Sequence, residues 1–441
     1  MKDHIFEKLK DFLDKNLKKE KKILLGYSGG FDSKVLLHLM LRYRNAFKIE
    51  FHIAHIDHRW RKNSSLEAEK LKKEAEKYNI PFHLKVLEKV EFKNNLEDKY
   101  RVLRINFFKE LYEKYKFQAL LLAHQKDDLA ETVLKRFLEG AYFPSLKSME
   151  EISVIDNMVI WRPLLSISKK DLKKWLIKND LDAIDDETNR DERYLRAKLR
   201  EKIIPYISLK FGKEITNNLY IASLRASELN TYLDKKTEKY FDMKVKGPFG
   251  IYLNLSKLDV EDIERKHLFR RIIRYLKLEC SRDIIDRIVT SKTFSLNIKN
   301  CKIIKEKNNL FFLKKEIPKI EKMEIKEGIY SKKNWEINIK KSNKLNKNII
   351  FGNWEDSWKG EISCILPEGS YQLLSPEKGA FILNKKLNKW YLENKVPSFL
   401  RFSFPVIYKD GIIFHEFLSG KNGLKNFFSN YYYEVFLRLR P

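Results

Sequence analysis

A glycine turn near the amino end of the chain reads Ser28-Gly29-Gly30-Phe31-Asp32-Ser33. It follows an apolar run, 22–27, that is typical of a buried strand, and it precedes an amphipathic run, 33–43, that is typical of a helix. Glycine lets the backbone turn sharply and approach a ligand closely, and the amide groups at a helix N-terminus bind anions. The sequence therefore predicts a phosphate site, with Ser28 and Ser33 as additional hydroxyl donors.

Asp32 gives this turn its particular chemistry. A carboxylate repels phosphate unless a cation lies between them, so Asp32 is predicted to be a partner of Mg²⁺, directly or through water. The turn lacks the Gly-Lys-Ser/Thr ending of a kinase-type phosphate loop and the Gly-x-Gly-x-x-Gly spacing of a dinucleotide fold. The plain alternative is an ordinary strand-to-helix turn that contains glycine.

Strands and helices alternate through the first half of the chain. Further apolar runs predict strands over 49–55, 82–86 and 118–123, and amphipathic runs predict helices over 64–78, 96–115 and 127–138. This alternation predicts an α/β fold with a doubly wound, mostly parallel sheet, in which ligands bind beyond the carboxyl ends of the strands.

Length and pattern together predict three domains in these 441 residues. Residues 1–205 form the α/β domain, 206–318 a mainly helical domain and 346–441 a small α+β domain. The lysine- and asparagine-rich stretch 292–345 is compatible with small strands or with a linker. In the last segment, Asp410-Gly411 indicates a turn and 385–394 a helix.

Composition narrows the class of protein. The net charge is +28, which favours a polyanion such as RNA as a partner, although a lysine-rich solvated surface explains the same number. No apolar stretch approaches the roughly 18 residues of a membrane span, and the amino end lacks an apolar signal core. The cysteines are few and far apart, which favours a reducing cytosol: Cys280, Cys301 and Cys364.

Two polar segments are expected near the ligand edge of the sheet. His55-Ile56-Asp57-His58 follows the second predicted strand and reads either as a metal site or as a loop beside a nucleoside. Glu97, Arg101 and Arg104 share one helix face, shortly after Asn95, and could stabilise a departing anion. A solvated, salt-bridged helix is the alternative for these charges.

A third segment, His124-Gln125-Lys126-Asp127-Asp128, starts where the fourth predicted strand ends. Asp128 and Glu131 are three residues apart, so they lie on one face at the start of a helix. Acids at this position complement the helix dipole. The same two carboxylates would also suit a cationic ligand.

In this order the segments resemble a known family. The glycine turn is similar to the Ser-Gly-Gly-x-Asp-Ser pyrophosphate loop of the N-type ATP pyrophosphatases, and the later segments resemble the lysidine synthetase branch of that group. The resemblance extends to Arg162-Pro163-Leu164-Leu165, to 186–189, to Tyr194-Leu195-Arg196 with Arg200, and weakly to 395–401. This sequence differs from the branch pattern at Gln125, Leu129 and Ala197.

The resemblance implies an ATP-dependent ligase that joins free L-lysine to C2 of the wobble cytidine of the tRNA(Ile) with a CAU anticodon, through an O2-adenylated intermediate. ATP with Mg²⁺ would bind at 28–33, Ala54 and His55. Roles in catalysis fall to Asp32, Arg101, Arg104 and His124, and lysine binding to Asp128 and Glu131. Further site positions are Asp57, His58, Asn95, Glu97 and Asp127.

Two rivals to this function stay open. One is another ATP-dependent tRNA-modifying enzyme, such as a thiolase, although residues 1–205 contain no cysteine. The other is a non-catalytic tRNA-binding protein built on a decayed ATP-binding domain. Neither a membrane nor DNA is expected as a partner. Tyr431, Tyr432 and Tyr433 could stack on RNA bases, but packing in a core explains them equally well.

Overall fold

The computed structural model describes residues 3–18, 21–59, 63–87, 96–184, 195–298, 300–314, 316–332, 334–344, 353–420 and 429–439. The chain forms two compact units, Met1–Tyr232 and Leu233–Pro441. Asn95, 186–189 and Tyr194 lie outside the described residues. No helix in the described ranges is both long enough and apolar enough to cross a membrane.

The first unit contains a six-stranded sheet and the helices that flank it. Its strands are β1 (Ile23–Gly26), β2 (Phe51–Asp57), β3 (Phe82–Val86), β4 (Ala119–Leu121), β5 (Ile152–Ile155) and β6 (Met158–Trp161). Its helices are α1 (His4–Asn16), α2 (Phe31–Phe47), α3 (Ser64–Lys77), α4 (Leu96–Tyr115), α5 (Lys126–Leu138), α6 (Lys169–Lys178), α7 (Leu195–Lys198), α8 (Ile204–Phe211) and α9 (Ile215–Asp242), the last of which crosses the boundary between the units.

The strand order, β3-β2-β1-β4-β6-β5, confirms the predicted doubly wound sheet. All neighbouring strands are parallel except the edge pair β5 and β6. The chain passes from β1 outward to β2 and β3, then returns to place β4 on the other side of β1. The switch point of the topology therefore lies between the ends of β1 and β4, where ligands bind in open α/β sheets.

Alternating side chains of β1 serve two hydrophobic cores. Ile23 and Leu25 are fully buried in one core with α1, α2 and α6, whereas Leu24 is buried in a second core with Phe107 and Phe108 of α4. Because both faces are covered, the strand is apolar along its length, as expected of a central parallel strand. The sheet is thus a rigid platform for the loops at its carboxyl edge.

The second unit consists of antiparallel sheets and short helices. Its helices are α10 (Asp262–Tyr275), α11 (Arg282–Thr290), α12 (Trp354–Ser357) and α13 (Leu387–Glu393). Its strands are β7 (Val245–Gly247), β8 (Gly250–Asn254), β9 (Phe294–Ile298), β10 (Cys301–Glu306), β11 (Asn309–Leu313), β12 (Met323–Glu324), β13 (Gly328–Lys332), β14 (Trp335–Ser342), β15 (Glu361–Pro367), β16 (Gln372–Leu374), β17 (Phe381–Ile382), β18 (Lys385–Lys386), β19 (Val406–Lys409), β20 (Ile412–Glu416) and β21 (Tyr432–Leu439).

These strands form three main sheets. One has the order β7-β8-β11-β10-β9 and packs against α10 and α11. The other two, β12-β16-β19-β20 and β13-β14-β21-β15, contribute to a shared core around Trp335 and Trp358. The sequence of 292–345 is compatible with small strands or with a linker. Most of the described residues there lie in strands. Asp410-Gly411 turns between β19 and β20, as predicted.

The hairpin of β7 and β8 lies inside the region predicted as mainly helical and was not expected there. Gly247 pairs with Gly250 across a two-residue turn, Pro248-Phe249. The helices predicted for this region are present as α8 to α11. The division into domains at 205, 318 and 346 stays a prediction.

Candidate active site

The glycine turn leaves β1 and enters α2 at the switch point of the sheet. Gly29 adopts a φ of +79°, and a Cβ atom there would come within 2.9 Å of the side chains of Leu71 and Ile184. Glycine is therefore required by both conformation and space. Ser28 Oγ lies 3.1 Å from Ser33 Oγ and accepts a hydrogen bond from the Gly30 amide. The turn is thus held by its own hydroxyl groups.

Asp32 lies in the first turn of α2 with one carboxylate oxygen, Oδ1, buried and without a hydrogen-bond partner. Burial, followed by the negative charge of Asp128, raises the pKa of Asp32 to about 7. Lys169 and Arg200 oppose this shift. An unpartnered, partly desolvated carboxylate is a group that a cation would stabilise.

The residues after β4 begin a second helix at the same edge. Gln125 caps α5: its side-chain oxygen accepts from the Asp127 amide at 2.7 Å, and the Asp128 carboxylate accepts from the Gln125 amide at 3.1 Å. Asp127 Oδ2 accepts a 2.8 Å hydrogen bond from the Lys169 amide, which ties the start of α5 to the start of α6. Gln125, which departs from the family pattern, therefore has a structural role here.

Asp128 and Glu131 share one cation, Arg200. Arg200 Nε donates to Glu131 Oε1 at 2.5 Å, and Arg200 Nη2 lies 3.0 Å from Glu131 Oε2 and 3.1 Å from Asp128 Oδ1. The Glu131 side chain is only 2% exposed. Burial raises the pKa of Glu131 to about 7, against the opposing effect of Arg200. The two carboxylates thus face one shared position, which suits a planar guanidinium group or a compact ammonium group.

Arg200 belongs to a π-helical turn, Leu199–Ile203, between α7 and α8. The Ile204 amide donates to the Leu199 carbonyl, five residues earlier, and Pro205 follows with no N–H and a ring that crowds the preceding turn. Burial alone would lower the pKa of Arg200, but Glu131, Asp128 and Asp32 raise it above its ordinary value. Arg200 is therefore a permanent cation.

His124 has the opposite surroundings, although it lies only four residues before Asp128. Burial, followed by the nearby arginines in the order Arg162, Arg104, Arg196 and Arg101, lowers the pKa of His124 to about 3. Its Nδ1 atom is buried without a hydrogen-bond partner. The imidazole is consequently neutral at physiological pH and faces a concentration of positive charge that suits an anion.

The arginines of this cluster come from three elements. Arg101 and Arg104 are exposed on α4, Arg196 lies on α7, and Arg162 follows β6. Arg162 is 7% exposed and donates through Nη1 to the Glu150 carbonyl at 2.9 Å and to Ser153 Oγ at 2.8 Å. Glu97 belongs to α4, and its side chain lies outside what the structure describes.

The residues that end β2 have mainly structural partners. Ala54 is buried, and its carbonyl accepts from the Tyr27 amide at 2.9 Å. His55 Nδ1 lies 2.8 Å from the Tyr27 carbonyl, to which it donates. Asp57 accepts from the Arg59 amide at 2.8 Å and from Ser65 Oγ at 3.2 Å.

His58 lies nearer the arginine cluster. Its ring packs edge-on against Tyr100, with 5.3 Å between centroids, and burial followed by Arg104 lowers its pKa to about 4. Within the described ranges, no group of three or more His, Cys, Asp or Glu side chains is arranged to hold a metal ion. The metal-site reading of 55–58 therefore receives no support from the geometry.

Four charged residues of the site had no role assigned from the sequence. Arg162, Arg196 and Arg200 lie in segments that carry the family resemblance, but His124 and Glu131, on whose pKa they act, are 38 or more positions away in sequence, so spacing could not reveal these roles. Lys169 precedes Asp171 in the first turn of α6 and carried no site signal in the sequence. Of the other departures from the family pattern, Leu129 packs in a small core with Val133 and Leu165, and Ala197 is buried.

Asp32 meets one requirement of a magnesium partner. Its Oδ1 is a buried oxygen without a partner, and carboxylate oxygens are the ligands that Mg²⁺ prefers. The hydroxyl groups of Ser28 and Ser33 are nearby, and Asp128 adds negative charge. The residues present therefore fit a divalent cation beside bound phosphates.

The chain is similar in sequence to proteins of known family. A family profile described as a PP-loop domain matches residues 1–207. The tRNA(Ile)-lysidine synthase of Protochlamydia amoebophila (strain UWE25) is 35% identical over 431 residues, which cover 95% of this chain and 93% of that protein. The tRNA(Ile)-lysidine synthase of Chlamydia pneumoniae is 38% identical over 236 residues, which cover 53% of this chain and 73% of that protein.

Among solved structures, the U34-tRNA thiolase NcsA from Methanococcus maripaludis aligns with 51% of this chain and 78% of its own, at 17% identity and a TM-score of 0.44. The sequence identity to the Protochlamydia protein extends through both compact units. This chain therefore belongs to the tRNA(Ile)-lysidine synthase family and is an ATP-dependent ligase.

Proposed function

We propose that this enzyme ligates L-lysine to C2 of the wobble cytidine in the tRNA(Ile) whose anticodon is CAU. In the first step the cytosine O2 attacks the α-phosphate of ATP, and the bond to the β-phosphate breaks to release pyrophosphate. In the second step the ε-amine of lysine, having lost a proton, attacks C2, and the C2–O2 bond breaks to release AMP. The enzyme works in the cytoplasm.

One observation carries this proposal: a phosphate-binding turn and a cation-binding carboxylate pair lie together at the switch point of one sheet. The turn at 28–33 would hold the ATP phosphates through its amides. Asp128 acts on the pKa of Asp32, so the two helix starts are close in space. A nucleotide and an amino acid with a charged side chain would therefore meet at one edge.

We assign lysine to Asp128 and Glu131 because this pair already binds a cation, Arg200, in hydrogen-bonded geometry. The ammonium group of lysine would take a share of these oxygens. Arg200, bound to the same carboxylates, lowers the pKa of this ammonium group, because a nearby like charge disfavours the charged form of the amine. Arg200 would thus promote the loss of a proton that attack on C2 requires.

The proton acceptor in this proposal is Glu131. Its pKa is about 7, which matches the pH at which a general base works best. His124, the other candidate, has a pKa of about 3 and is surrounded by arginines, so it is a poor base. As a neutral ring it can instead donate a hydrogen bond to a phosphate oxygen.

The arginine cluster would hold the leaving groups. Arg101, Arg104, Arg162 and Arg196 all act on the pKa of His124, so their charges converge on one place. Fixed positive charge aimed at a departing pyrophosphate is worth about 10²–10³ in rate for each donor removed. Asp32 would hold Mg²⁺, which supplies further neutralisation of phosphate charge when bound.

The test is lysine incorporation. The protein is incubated with ATP, labelled L-lysine and transcripts of the CAU-anticodon tRNA(Ile), with the initiator tRNA as a control. We expect label only in the tRNA(Ile), and we expect Asp32→Ala to abolish pyrophosphate release while tRNA affinity changes little. Binding of tRNA without incorporation of lysine would support a non-catalytic protein, and incorporation of sulfur would support a thiolase. The absence of cysteine from residues 1–232 argues against the second outcome.

A further inference from the structure

A partly buried carboxylate behind the glycine turn is not part of the site described above. Glu74 lies on α3, and its Oε2 accepts a 2.7 Å hydrogen bond from the Tyr27 hydroxyl. Its Oε1 forms an ion pair with Lys34 and lies 3.8 Å from His38 Nε2. The side chains of Glu74, Lys34 and His38 are each no more than 16% exposed.

The partners of Glu74 bracket the phosphate-binding turn. Tyr27 immediately precedes Ser28, and Lys34 immediately follows Ser33. One carboxylate on a separate helix therefore fixes both ends of a six-residue turn. Leu71, one turn earlier on α3, packs where a Cβ of Gly29 would lie, so the same helix also supports the middle of the turn.

Glu74 also fixes the position of the Lys34 ammonium group. Lys34 is the lysine beside the turn, and in a kinase-type loop the corresponding charge would reach the phosphates. Here its ammonium group pairs with Glu74 instead. Burial would raise the pKa of Glu74, but its interactions with His38, Lys34 and Tyr27 lower it to about 2. The carboxylate is consequently charged throughout the neutral range.

We propose that Glu74 is a positioning residue for ATP: it holds the phosphate-binding turn in its binding conformation and keeps Lys34 turned away from the phosphates. This inference rests on the proposed function, in which the turn binds the ATP phosphates. Glu74 acts through Tyr27 and Lys34. It sets the affinity for ATP and leaves the affinity for lysine unchanged.

The test compares Glu74→Gln with Glu76→Gln, an exposed position on the same helix whose carboxylate lies 3.9 Å from Lys72. Nucleotide binding to the full-length enzyme is measured by calorimetry with a non-hydrolysable ATP analogue, and the KM values for ATP and lysine are measured in the ligation assay. We expect Glu74→Gln to weaken ATP binding about 10- to 100-fold, as a small misplacement of a binding group does. The KM for lysine should change less than twofold, and Glu76→Gln should match the wild type.

A second variant separates positioning from folding. The double variant Glu74→Gln/Lys34→Gln contains no ammonium group that lacks a carboxylate partner at this position. Its thermal unfolding midpoint should therefore recover toward that of the wild type. If Glu74 positions the turn, ATP binding stays weak in the double variant. Recovery of ATP affinity together with the midpoint would overturn the inference, as would unchanged ATP binding in Glu74→Gln. Failure of the wild type to bind the ATP analogue would instead contradict the proposed function.

Discussion

Two charged clusters include residues of the segment that follows β4, and their electrostatics are opposite. Around His124, burial and then four arginines lower the pKa of the imidazole to about 3. Around Asp32 and Glu131, buried carboxylates have their pKa values raised to about 7. In each cluster the groups of one sign outnumber those of the other, and the titratable residue adopts the form that reduces the imbalance.

This contrast shows how one sheet edge can serve two unlike substrates. The arginine cluster has an excess of positive charge, which bound ATP or pyrophosphate would neutralise. The carboxylate cluster, which comprises Asp32, Asp127, Asp128 and Glu131, has Arg200 and Lys169 as nearby cations, and lysine would supply another. Changes in the two clusters should therefore damage different steps of the reaction.

The largest effect is expected for Glu131→Gln. Because this change removes both a charge and a base from the carboxylate cluster, lysine incorporation should fall about 10³-fold in kcat/KM for lysine. Pyrophosphate release with tRNA and ATP alone should persist. Glu139→Gln, at an exposed position that ends α5, is the matched control. An equal loss of both steps would show that the two clusters do not divide the reaction.

Arg104→Gln should produce the reverse pattern with a smaller magnitude. Losing one of several guanidinium groups should slow pyrophosphate release about 10²-fold, since each donor stabilises developing charge. The KM for lysine should remain close to that of the wild type. Lys109→Gln, also on α4 and 3.8 Å from Glu113, serves as the control for a lost positive charge. A rise in the KM for lysine alone would contradict the separation.

The pH dependence of lysine use should report the carboxylate cluster and not His124. Because the pKa of Glu131 is raised to about 7, its charged form is lost as the pH falls through 7. We expect kcat/KM for lysine to drop about tenfold between pH 8 and pH 6, as for a single group. The measurement is a steady-state profile from pH 5.5 to 8.5. A flat profile over this range would exclude Glu131 as the base.

The smallest effect is on stability. The folded-state pKa of Asp32 is raised above its unfolded value, so Asp32 destabilises the fold as the pH rises from about 4 to about 7 and to the same extent above that. Asp32→Asn removes this penalty, and the free energy of unfolding should increase by about 1–3 kcal/mol at pH 8, with no gain near pH 4. Urea unfolding at both pH values tests this. A destabilised variant at pH 8 would mean that the carboxylate has a partner in solution.

Sequence reasoning was sufficient where the signal is local. The alternation of apolar and amphipathic runs predicted β1 to β4 and the helices between them, because central parallel strands are apolar throughout and the helices have one apolar face. The glycine turn was recognisable because its residue types and its place between strand and helix occur together. The edge hairpin of β5 and β6 was not predicted, since its short strands carry no clear period.

The electrostatics of the site could not be predicted in this way. Arg200 is 69 residues from Glu131, and no spacing rule relates them. The neutral state of His124 depends on burial and on arginines from α4, α7 and the end of β6. The anchor at Glu74 was also invisible, because a glutamate on a lysine-rich helix reads as a solvated charge. Such properties arise from burial and convergence of distant segments, which only the folded chain determines.

The direction of the Arg200 side chain depends on the π-helical turn at 199–203, in which the hydrogen bond spans five residues and not the four of an α-helix. Each residue of an α-helix turns the side-chain direction by about 100°, so deleting a single residue from this turn would rotate Arg200 away from Glu131. The buried carboxylate would then lose its guanidinium partner while the remainder of the helix kept its form. The length of this segment, as much as the identity of its arginine, is therefore under constraint, and natural or engineered changes in length should be tolerated elsewhere before they are tolerated here.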